Sequence, residues 1–363
     1  MYAIRIIGAG SIGNHLANAA RSYGWRVTLT DNDPAALERT RTSIYPQRYG
    51  AWDDGIVLKD SRAAMSEPAD VVFIGTPPDS HIPLANAVLD AVTPRVLLIE
   101  KPLAGPDLAG CAALLERVRA KGIFAGVGYN HVLGRNTVLA EEVLRGGITG
   151  PVATISARTR EHWGGIFKAH PWLSGPSDSY LGFSSRGGGA TGEHSHGINI
   201  WQHFANAVGA GRVTEVTAVL EMQRQAGTEY DSLSYALLTT EGGLTGDVIQ
   251  DVVTAPADKS CRIQGRDGFI EWRVNHSPGH DAVRHGTGDK AEETLIAKTR
   301  ADDFKAEIAH LQDVLAGKVS HSPIALERGL DTMMVIAAIF KSHHAARRVR
   351  IDWSKGYVTD AIR

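Results

Sequence analysis

The sequence predicts an α/β protein of two domains, a doubly wound parallel sheet followed by an α/β domain with a large, open, mostly antiparallel sheet. Strand and helix signals alternate through residues 3–128, the pattern of a parallel sheet with right-handed crossovers. Extended stretches joined by short turns dominate the second half, as in antiparallel sheets. The length of 363 residues favours two domains at roughly 100–200 residues each. We expect the boundary near Tyr129.

The first half alternates apolar runs with helical stretches. We predict strands at Ala3–Ile7, Arg26–Thr30, Val71–Gly75, Val96–Ile99 and Phe124–Gly128, and helices at Asn14–Tyr23, Pro34–Ser43, Ser80–Ala91 and Pro106–Lys121. The strand at Val71–Gly75 is continuously apolar, as expected where both faces are covered. Pro34 suits the first turn of its helix, and Ser80 suits an N-cap position.

The second half contains many stretches in which polar and apolar residues alternate. We predict strands at Val152–Arg160, Val213–Arg224, Ser232–Thr240, Leu244–Val253, Cys261–Gln264, Phe269–Val274 and Thr294–Lys298, and helices at Thr137–Arg145, Glu193–Val208, Asp303–Ala316 and Ala325–His344. Short turns at 241–243 and 265–268 join some of the strands, which favours antiparallel pairing. The last helix could pack back on the first domain.

Composition excludes several classes of protein. Hydrophobic residues make up 43% of the chain, charged residues 21%, and the net charge is −2. This balance excludes bulk disorder and argues against a surface for nucleic acid or anionic membrane. The longest uncharged apolar stretch, near 332–340, is shorter than the ~20 residues of a membrane span. Two distant cysteines and an N-terminus without a signal-peptide pattern lead us to expect a cytoplasmic protein without disulfides.

A glycine-rich turn follows the first strand. The residues from Gly8 to Gly13 fit G-x-G-x-x-G, with Gly10, Ser11 and Ile12 inside the pattern. Between a strand and a helix, such a turn lets the backbone approach a pyrophosphate, which the helix N-terminus then attracts. The pattern therefore predicts a dinucleotide site, although a plain glycine-rich turn is the simpler alternative.

An acidic residue ends the second predicted strand. Asp31 lies 18 residues after Gly13, close to the ~20-residue spacing at which a carboxylate reaches a ribose 2′-hydroxyl. A carboxylate there repels a 2′-phosphate, and the next residue is Asn32 rather than an arginine. We therefore predict NAD as the cofactor, with NADP less favoured. The alternative for Asp31 is an acidic residue that leads into the next helix.

Three further segments resemble the motifs of a known protein family. They are Gly75-Thr76-Pro77-Pro78-Asp79-Ser80-His81, Glu100-Lys101-Pro102-Leu103-Ala104, and Gly187-Gly188-Gly189-Ala190 leading to Glu193-His194-Ser195-His196. With the glycine-rich turn, they resemble the Gfo/Idh/MocA oxidoreductase family, the relatives of glucose–fructose oxidoreductase and inositol dehydrogenase, over essentially the whole chain. The resemblance implies a Rossmann NAD-binding domain at 1–128. It also implies a substrate-binding and oligomerisation domain at 129–363, whose open sheet forms a homodimer or homotetramer.

The resemblance also implies site residues. Cofactor contacts beyond the glycine turn would be Asp31, Asn32, Thr76, Pro77, Pro78, His81, Glu100, Lys101 and Asn130. In the family, the lysine of E-K-P reaches the reacting hydroxyl and the nicotinamide, and its Lys-Pro peptide is often cis. The family places an aspartate and, four residues later, a histidine on one helix face. Here His196 matches the histidine, and Glu193 is the nearest carboxylate, at a spacing of three.

Oxidation of a secondary alcohol needs a hydride acceptor and a proton acceptor. We predict His196 as general base, Lys101 as proton relay and electrostatic stabiliser, and Glu193 as orienting partner, with hydride passing to nicotinamide C4. The simpler alternatives are a Lys101–Glu100 salt bridge and an ordinary buried His196. We expect His194 and His203 to be structural. We expect no metal, since histidines at i and i+2 do not share a helix face and H-E-x-x-H is absent.

Aromatic and polar residues cluster after the first strand of the second domain. We predict that 164–172 forms a loop and that substrate contacts are Arg160, His162, Trp163, His170 and Trp172, together with Lys101 and His196. Aromatic faces and hydrogen-bonding groups suit a sugar, although a packed surface loop is an equal alternative. The function expected is an NAD-dependent dehydrogenase of a sugar, inositol or sugar derivative. Alternatives are NAD-recycling glycoside cleavage or epimerisation, and a non-enzymatic redox sensor.

Overall fold

A six-stranded parallel sheet forms the first domain in the computed structural model, which describes residues 1–169, 172–225 and 227–363. Its strands are β1 (Ala3–Ile7), β2 (Arg26–Asp31), β3 (Ile56–Asp60), β4 (Val71–Ile74), β5 (Val96–Ile99) and β6 (Phe124–Val127). Their order is β3-β2-β1-β4-β5-β6, so the predicted doubly wound sheet is confirmed. The sequence did not predict β3, because this edge strand buries only Ile56 fully and its apolar run, 56–58, is short.

Helices connect these strands. They are α1 (Ser11–Ser22), α2 (Pro34–Arg39), α3 (Tyr45–Tyr49), α4 (Ser61–Ala64), α5 (His81–Ala91) and α6 (Cys111–Lys121). Helix α6 begins five residues later than predicted because Leu108 and Gly110 adopt left-handed conformations, with φ of 58° and 76°, that interrupt a right-handed helix. Ser80 precedes α5, but its hydroxyl donates to the Pro77 carbonyl (2.7 Å) instead of capping the helix.

A nine-stranded sheet forms the second domain. Its strands are β7 (Val152–Arg160), β8 (Val213–Gln225), β9 (Thr228–Thr240), β10 (Thr245–Asp251), β11 (Asp258–Gly265), β12 (Phe269–Ser277), β13 (His280–Thr287), β14 (Lys290–Ala297) and β15 (Val349–Arg350). Their order is β14-β13-β12-β11-β7-β10-β9-β8-β15. Among the described strands of this sheet, only β7 and β10 pair in parallel, so the predicted mostly antiparallel sheet is confirmed. The sequence did not predict β13, because its buried apolar residues, Ala282 and Val283, are adjacent and do not alternate.

The helices of the second domain cover one face of this sheet and return to the first domain. They are α7 (Arg135–Arg145), α8 (Trp163–Ala169), α9 (Gly189–Glu193), α10 (His196–Ala207), α11 (Arg300–Leu315) and α12 (Leu326–Ala345). Trp201 of α10 donates to the Ile155 carbonyl of β7 (2.8 Å). Just before α12, the Ile324 carbonyl accepts from the Val127 amide of β6 (2.9 Å). Within the described ranges, no helix combines the length and apolarity needed to cross a bilayer.

Two local predictions are wrong. The helix expected at 193–208 begins only at His196, as α10, because Glu193 is instead the last residue of α9, which ends at His194 (φ −95°, ψ 21°). The loop expected at 164–172 begins instead as α8, which buries Trp163 against Leu181, Ala190 and Val252. Tertiary packing of this aromatic stretch outweighs the two glycines that suggested a loop.

Candidate active site

The glycine-rich turn joins β1 to α1 at the carboxyl edge of the parallel sheet. Gly8 has φ of 112°, and a Cβ there would lie 2.7 Å from the Gly75 carbonyl oxygen. A Cβ on Gly13 would lie 2.0 Å from the Gly8 carbonyl oxygen, whereas a Cβ on Gly10 would meet no atom within 4 Å. The turn is therefore closely packed at Gly8 and Gly13 and open at Gly10. Gly10 directly precedes α1, whose first backbone N–H groups point towards this opening. Such a cradle fits a dinucleotide pyrophosphate.

Asp31 lies at the end of β2, beside this turn. Its carboxylate accepts hydrogen bonds from the Ala9 amide (2.9 Å) and the Asp33 amide (2.9 Å). These bonds fix the carboxylate next to the turn, where an adenosine ribose would lie in a fold of this strand order. Asn32 follows it at the exposed surface.

Arg48 of α3 supports the turn from the other side, and sequence reasoning missed it. Its guanidinium donates to the Ser11 carbonyl (2.9 Å) and the Ser11 hydroxyl (2.8 Å). Burial lowers the pKa of Arg48, and the nearby charge of Arg300 lowers it further. No sequence signal marks this arginine, because α3 reaches Ser11 only through the tertiary fold.

The segments after β4 and β5 are tied together by His81. The ring Nε2 lies 2.7 Å from the Thr76 carbonyl oxygen, and Nδ1 lies 3.0 Å from the Pro102 carbonyl oxygen. The side chain is fully buried, and burial lowers its pKa to about 4. His81 thus braces the two segments, and this leaves neither ring nitrogen for the direct cofactor contact that the sequence suggested. Pro77 is exposed between them, and Pro78 is buried.

Lys101 forms an ion pair with Glu193. The Lys101 Nζ lies 3.2 Å from Glu193 Oε2 and donates to the Glu193 backbone carbonyl (2.8 Å). Their side chains are 11% and 17% exposed, so the pair is mostly shielded from water. The Lys101–Pro102 peptide is cis. The ion-pair partner of Lys101 is thus Glu193, and not the adjacent Glu100 of the simpler alternative.

Charges and hydrogen bonds set the ionisation of the two glutamates. Burial favours the neutral form of Glu193, but the charge of Lys101 and a hydrogen bond from Tyr180 outweigh it and lower the pKa. The Tyr180 hydroxyl donates to Glu193 Oε2 (2.9 Å). Burial raises the pKa of Glu100 to about 7, although the charge of Lys101 opposes the shift. Glu193 is therefore a carboxylate at neutral pH.

His196 opens α10 within a group of aromatic rings. Its imidazole stacks on His131, with ring centroids 4.0 Å apart, and meets the edge of Tyr129 at 5.6 Å. Burial, followed by the charges of His131 and Lys101, holds its pKa well below 6.5. The Nδ1 atom is buried without a hydrogen-bond partner among the described residues. His196 is therefore neutral at pH 7.

The break between α9 and α10 corrects the predicted relation between Glu193 and His196. Because the two residues belong to different helices, the shared helix face expected of positions i and i+3 does not exist. The Glu193 carboxylate contacts Lys101 and Tyr180. The structure thus assigns Glu193 to the lysine, and not to the histidine that it was expected to orient.

The predicted substrate residues have different partners. Arg160 is bound to Asp251, and the His162 ring accepts from the Gly164 amide (2.9 Å). Trp163 is 6% exposed and stacks on Tyr230 at 4.8 Å, so it is part of a core. Trp172 lies beneath the Arg39 guanidinium of α2 at 5.9 Å, towards the first domain. His170 lies outside the described residues.

Asn130 is buried at 6% exposure, just after β6. Within the part of the chain that the structure describes, no three His, Cys, Asp or Glu side chains converge as metal ligands would.

The strand order and the glycine turn define the first domain as a nucleotide-binding Rossmann domain. Residues 3–129 match the model of the oxidoreductase family with an NAD-binding Rossmann fold, and residues 137–271 match the GFO/IDH/MocA C-terminal domain. The chain therefore belongs to the Gfo/Idh/MocA oxidoreductase family. A comparison with curated protein sequences found no significant match.

Solved structures share the fold over nearly the whole chain. An NAD-binding oxidoreductase from Klebsiella pneumoniae is 20% identical with a TM-score of 0.74, over 96% of this chain and 98% of that one. An aldose–aldose oxidoreductase from Caulobacter crescentus, complexed with glycerol, is 20% identical with a TM-score of 0.74, over 96% and 99%. Levoglucosan dehydrogenase, complexed with NADH and L-sorbose, is 19% identical with a TM-score of 0.74, over 96% and 98%.

Proposed function

We propose that this protein is an NAD-dependent dehydrogenase acting on a secondary hydroxyl of a sugar, an inositol or a sugar derivative. The observation that carries the proposal is the shielded Lys101–Glu193 pair, which lies at the same edge of the parallel sheet as the glycine turn. That edge is where ligands bind in open α/β sheets. The names of two structural neighbours, levoglucosan dehydrogenase and aldose–aldose oxidoreductase, support a polyhydroxylated substrate.

The residues that would hold the cofactor divide into two groups. Gly8, Gly10, Ser11, Ile12, Gly13, Asp31 and Asn32 would hold the pyrophosphate and adenosine half, and Thr76, Pro77, Pro78, Glu100, Lys101 and Asn130 the nicotinamide half. The Asp31 carboxylate, fixed by the Ala9 amide, favours NAD over NADP because it repels a 2′-phosphate. NAD, when bound, supplies the hydride acceptor.

Side chains of the protein would accept the proton that leaves the substrate hydroxyl. Lys101 presents an ammonium that stabilises negative charge developing on the reacting oxygen. Glu193 holds the ammonium in place. His196, neutral at pH 7, accepts the proton of the hydroxyl directly or through Lys101.

The test of this function is a screen of NAD reduction with purified protein over a panel of polyols, monosaccharides and glycosides, read as NADH absorbance. We expect at least one neutral polyhydroxylated compound to give NADH and the variant Lys101→Met to lose that activity. Failure of the whole panel with NAD and with NADP would contradict a dehydrogenase.

A second candidate is a cycle in which bound NAD is reduced and reoxidised without release, as in epimerisation or glycoside cleavage. The name of one neighbour, aldose–aldose oxidoreductase, favours it. In that case product forms while no NADH accumulates in solution, so product analysis beside the absorbance screen separates the two candidates.

We also propose that the open face of the second sheet joins copies of this chain as a homodimer or homotetramer. Val219, Tyr235 and Leu237 are 65%, 44% and 56% exposed, and Val219 and Tyr235 are cross-strand partners on β8 and β9. Exposed apolar groups of this kind are typical of interfaces. The free, buried cysteines Cys111 and Cys261 support a reducing, cytoplasmic setting.

A further inference from the structure

A second lysine–glutamate pair lies near the first one. Glu161 directly follows β7, and Lys259 lies on β11, where it pairs in register with Thr159. The Lys259 Nζ is 2.6 Å from Glu161 Oε2, and the side chains are 19% and 30% exposed. The Glu161 backbone is itself fixed, because its amide donates to the Asp251 carbonyl (3.0 Å). The pair is therefore held on two adjacent strands and faces partly into solvent.

His194 lies within the electric field of both pairs. The charges of Glu193, Glu161, Lys259 and Lys101 all act on its imidazole, and burial is the strongest influence, lowering the pKa to about 4. The residue is 4% exposed, and its Nε2 is buried without a hydrogen-bond partner in the described part of the chain. A neutral ring whose Nε2 has no partner among the described residues thus lies near enough to feel the charges of both ion pairs. A buried polar atom without a partner needs an explanation, and a ligand hydroxyl provides one.

Five cations of this region have carboxylate partners, whereas Arg48, which lies near Arg300, donates to Ser11. Lys101 pairs with Glu193, Lys259 with Glu161, and Arg160 with Asp251. Lys298 pairs with Asp281 and Asp303, and Arg300 also pairs with Asp303. A substrate carboxylate or phosphate beside Lys101, Lys259 or Lys298 would have to displace the carboxylate that each lysine already binds, and an unpaired charge in a shielded site is costly.

We propose that the substrate is a neutral polyhydroxylated molecule and that Lys259, Glu161 and His194 determine its specificity by binding hydroxyls away from the reacting carbon. This inference rests on the dehydrogenase function proposed above and names its substrate class. The Lys259 ammonium donates to one hydroxyl oxygen, and the Glu161 carboxylate accepts the proton of a neighbouring hydroxyl. The His194 Nε2 contacts a further hydroxyl.

The test compares neutral and anionic probes, using the whole chain of residues 1–363 with added NAD. The probes are D-glucose, myo-inositol, D-glucuronate and glucose 6-phosphate, beside the best compound of the NAD-reduction screen and its uronic acid. The variants are Lys259→Met and Glu161→Gln. The control is Lys318→Met, which removes an exposed lysine from its pair with Asp313 (3.1 Å), distant in sequence from both pairs.

We expect the wild-type protein to turn over the neutral compound at least about tenfold better than its uronic acid, as kcat/KM. Lys259→Met lowers kcat/KM for the neutral compound by about tenfold or more, mainly by raising KM, and leaves the Kd of NAD unchanged. Glu161→Gln frees the Lys259 ammonium, so the ratio of kcat/KM for uronic acid over neutral compound rises by about tenfold. Lys318→Met changes none of these values.

Preference of the wild-type protein for the anionic probes would overturn the inference, as would equal behaviour of Glu161→Gln and Lys318→Met. Absence of NADH and of product with every compound contradicts the proposed function instead. In that case, calorimetric binding of the same probes to the protein with NADH decides the inference by itself. Binding of D-glucose or myo-inositol that weakens in Lys259→Met supports it, and binding of glucuronate alone or of no probe overturns it.

Discussion

Individual side chains in the proposed active site are held by partners from distant segments. Lys101 comes from the end of β5, Glu193 from the end of α9, and Tyr180 from an irregular segment between them. Local motifs made Lys101 and the glycine turn predictable from the sequence. Tyr180, Lys259 and Arg48 were not predictable, because strand register and helix packing bring them to the site from stretches without a motif.

The ammonium of Lys101 is the group whose removal should be most damaging. Lys101→Met keeps the length of the side chain but removes the charge that stabilises the developing alkoxide. We expect kcat to fall by about 10²–10⁴-fold while the Kd of NAD, measured by fluorescence titration, stays nearly unchanged. Near-normal turnover would contradict the role. Lys121→Met, at the exposed end of α6, is the matched control.

Cofactor choice should depend on the charge of Asp31. Asp31→Asn keeps an oxygen that can accept from the Ala9 amide, but it removes the charge that repels a 2′-phosphate. We expect the wild-type protein to bind NAD more tightly than NADP. In the variant, the ratio of the two Kd values should shift towards NADP by about tenfold, or about 1.4 kcal/mol. Tighter binding of NADP by the wild-type protein would refute the assignment.

His81 should make stability depend on pH. Its pKa is lowered from 6.5 to about 4 in the folded protein, so below pH 6.5 the unfolded chain binds a proton that the folded chain does not. The contribution of His81 to the free energy of unfolding is fully present above pH 6.5 and is lost as the pH falls towards 4. Between pH 7 and pH 5 we expect the free energy of unfolding to fall by about 2 kcal/mol on its account.

Urea unfolding of wild type and His81→Asn at the two pH values measures this contribution. We expect the pH dependence to be about 2 kcal/mol smaller in the variant than in wild type. His321→Asn, at an exposed site, should behave like wild type. Identical pH dependence in all three proteins would show that His81 does not titrate as stated.

Among the secondary-structure elements, those predicted from the sequence are the strongly periodic or continuously apolar ones. The buried strands β4 and β5 and the long helix α12 were predicted within two residues of their observed ends. Failures occur where tertiary contacts decide local structure. Asp231 of β9 holds helix α9 in place, because its carboxylate accepts from the Thr191 amide and hydroxyl (both 2.7 Å). The break between α9 and α10 follows this contact with a distant strand, and the periodicity of the sequence does not show it.

The turn between β1 and α1 allows a paired experiment. Gly10→Ala meets no neighbouring atom, so the protein should keep its Tm while the methyl group obstructs the pyrophosphate and weakens NAD binding by about tenfold or more. Gly13→Ala places a methyl against the Gly8 carbonyl and should reduce stability by about 1–3 kcal/mol. Thermal unfolding and NAD titration measure both. A Gly10→Ala variant with unaltered NAD affinity would contradict the proposed cradle.

At the scale of the whole molecule, the second domain contacts the first through α11 as well as α12. The Phe304 ring of α11 stacks on His15 of α1, with centroids 4.6 Å apart, and the Arg300 guanidinium lies over Phe304 at 4.9 Å. These contacts join the helix that begins at the glycine turn to an element of the second domain. The position of the second domain relative to the first is thus fixed by the packing of α11 on α1, and not only by the connecting chain.

The open sheet face makes assembly testable. Leu237→Glu places a carboxylate among Val219 and Tyr235 and should convert the oligomer to a monomer, measured by size-exclusion chromatography with light scattering. Val138→Glu, on α7 and 46% exposed, is the control and should leave the molar mass unchanged. A wild-type protein that is monomeric at micromolar concentration would contradict assembly through this face.

The hydrogen bond from Val127 to Ile324 has a consequence for how the chain can be divided. Together with the bridge between Gly126 and Ala325, this bond places residues 324–325 beside β6, where they extend the outer edge of the first sheet. A fragment that stops at residue 128 would present a bare strand edge, the kind of surface on which chains aggregate. The nucleotide-binding half is therefore completed only after residue 325 has been synthesised, and the two halves should unfold in one transition.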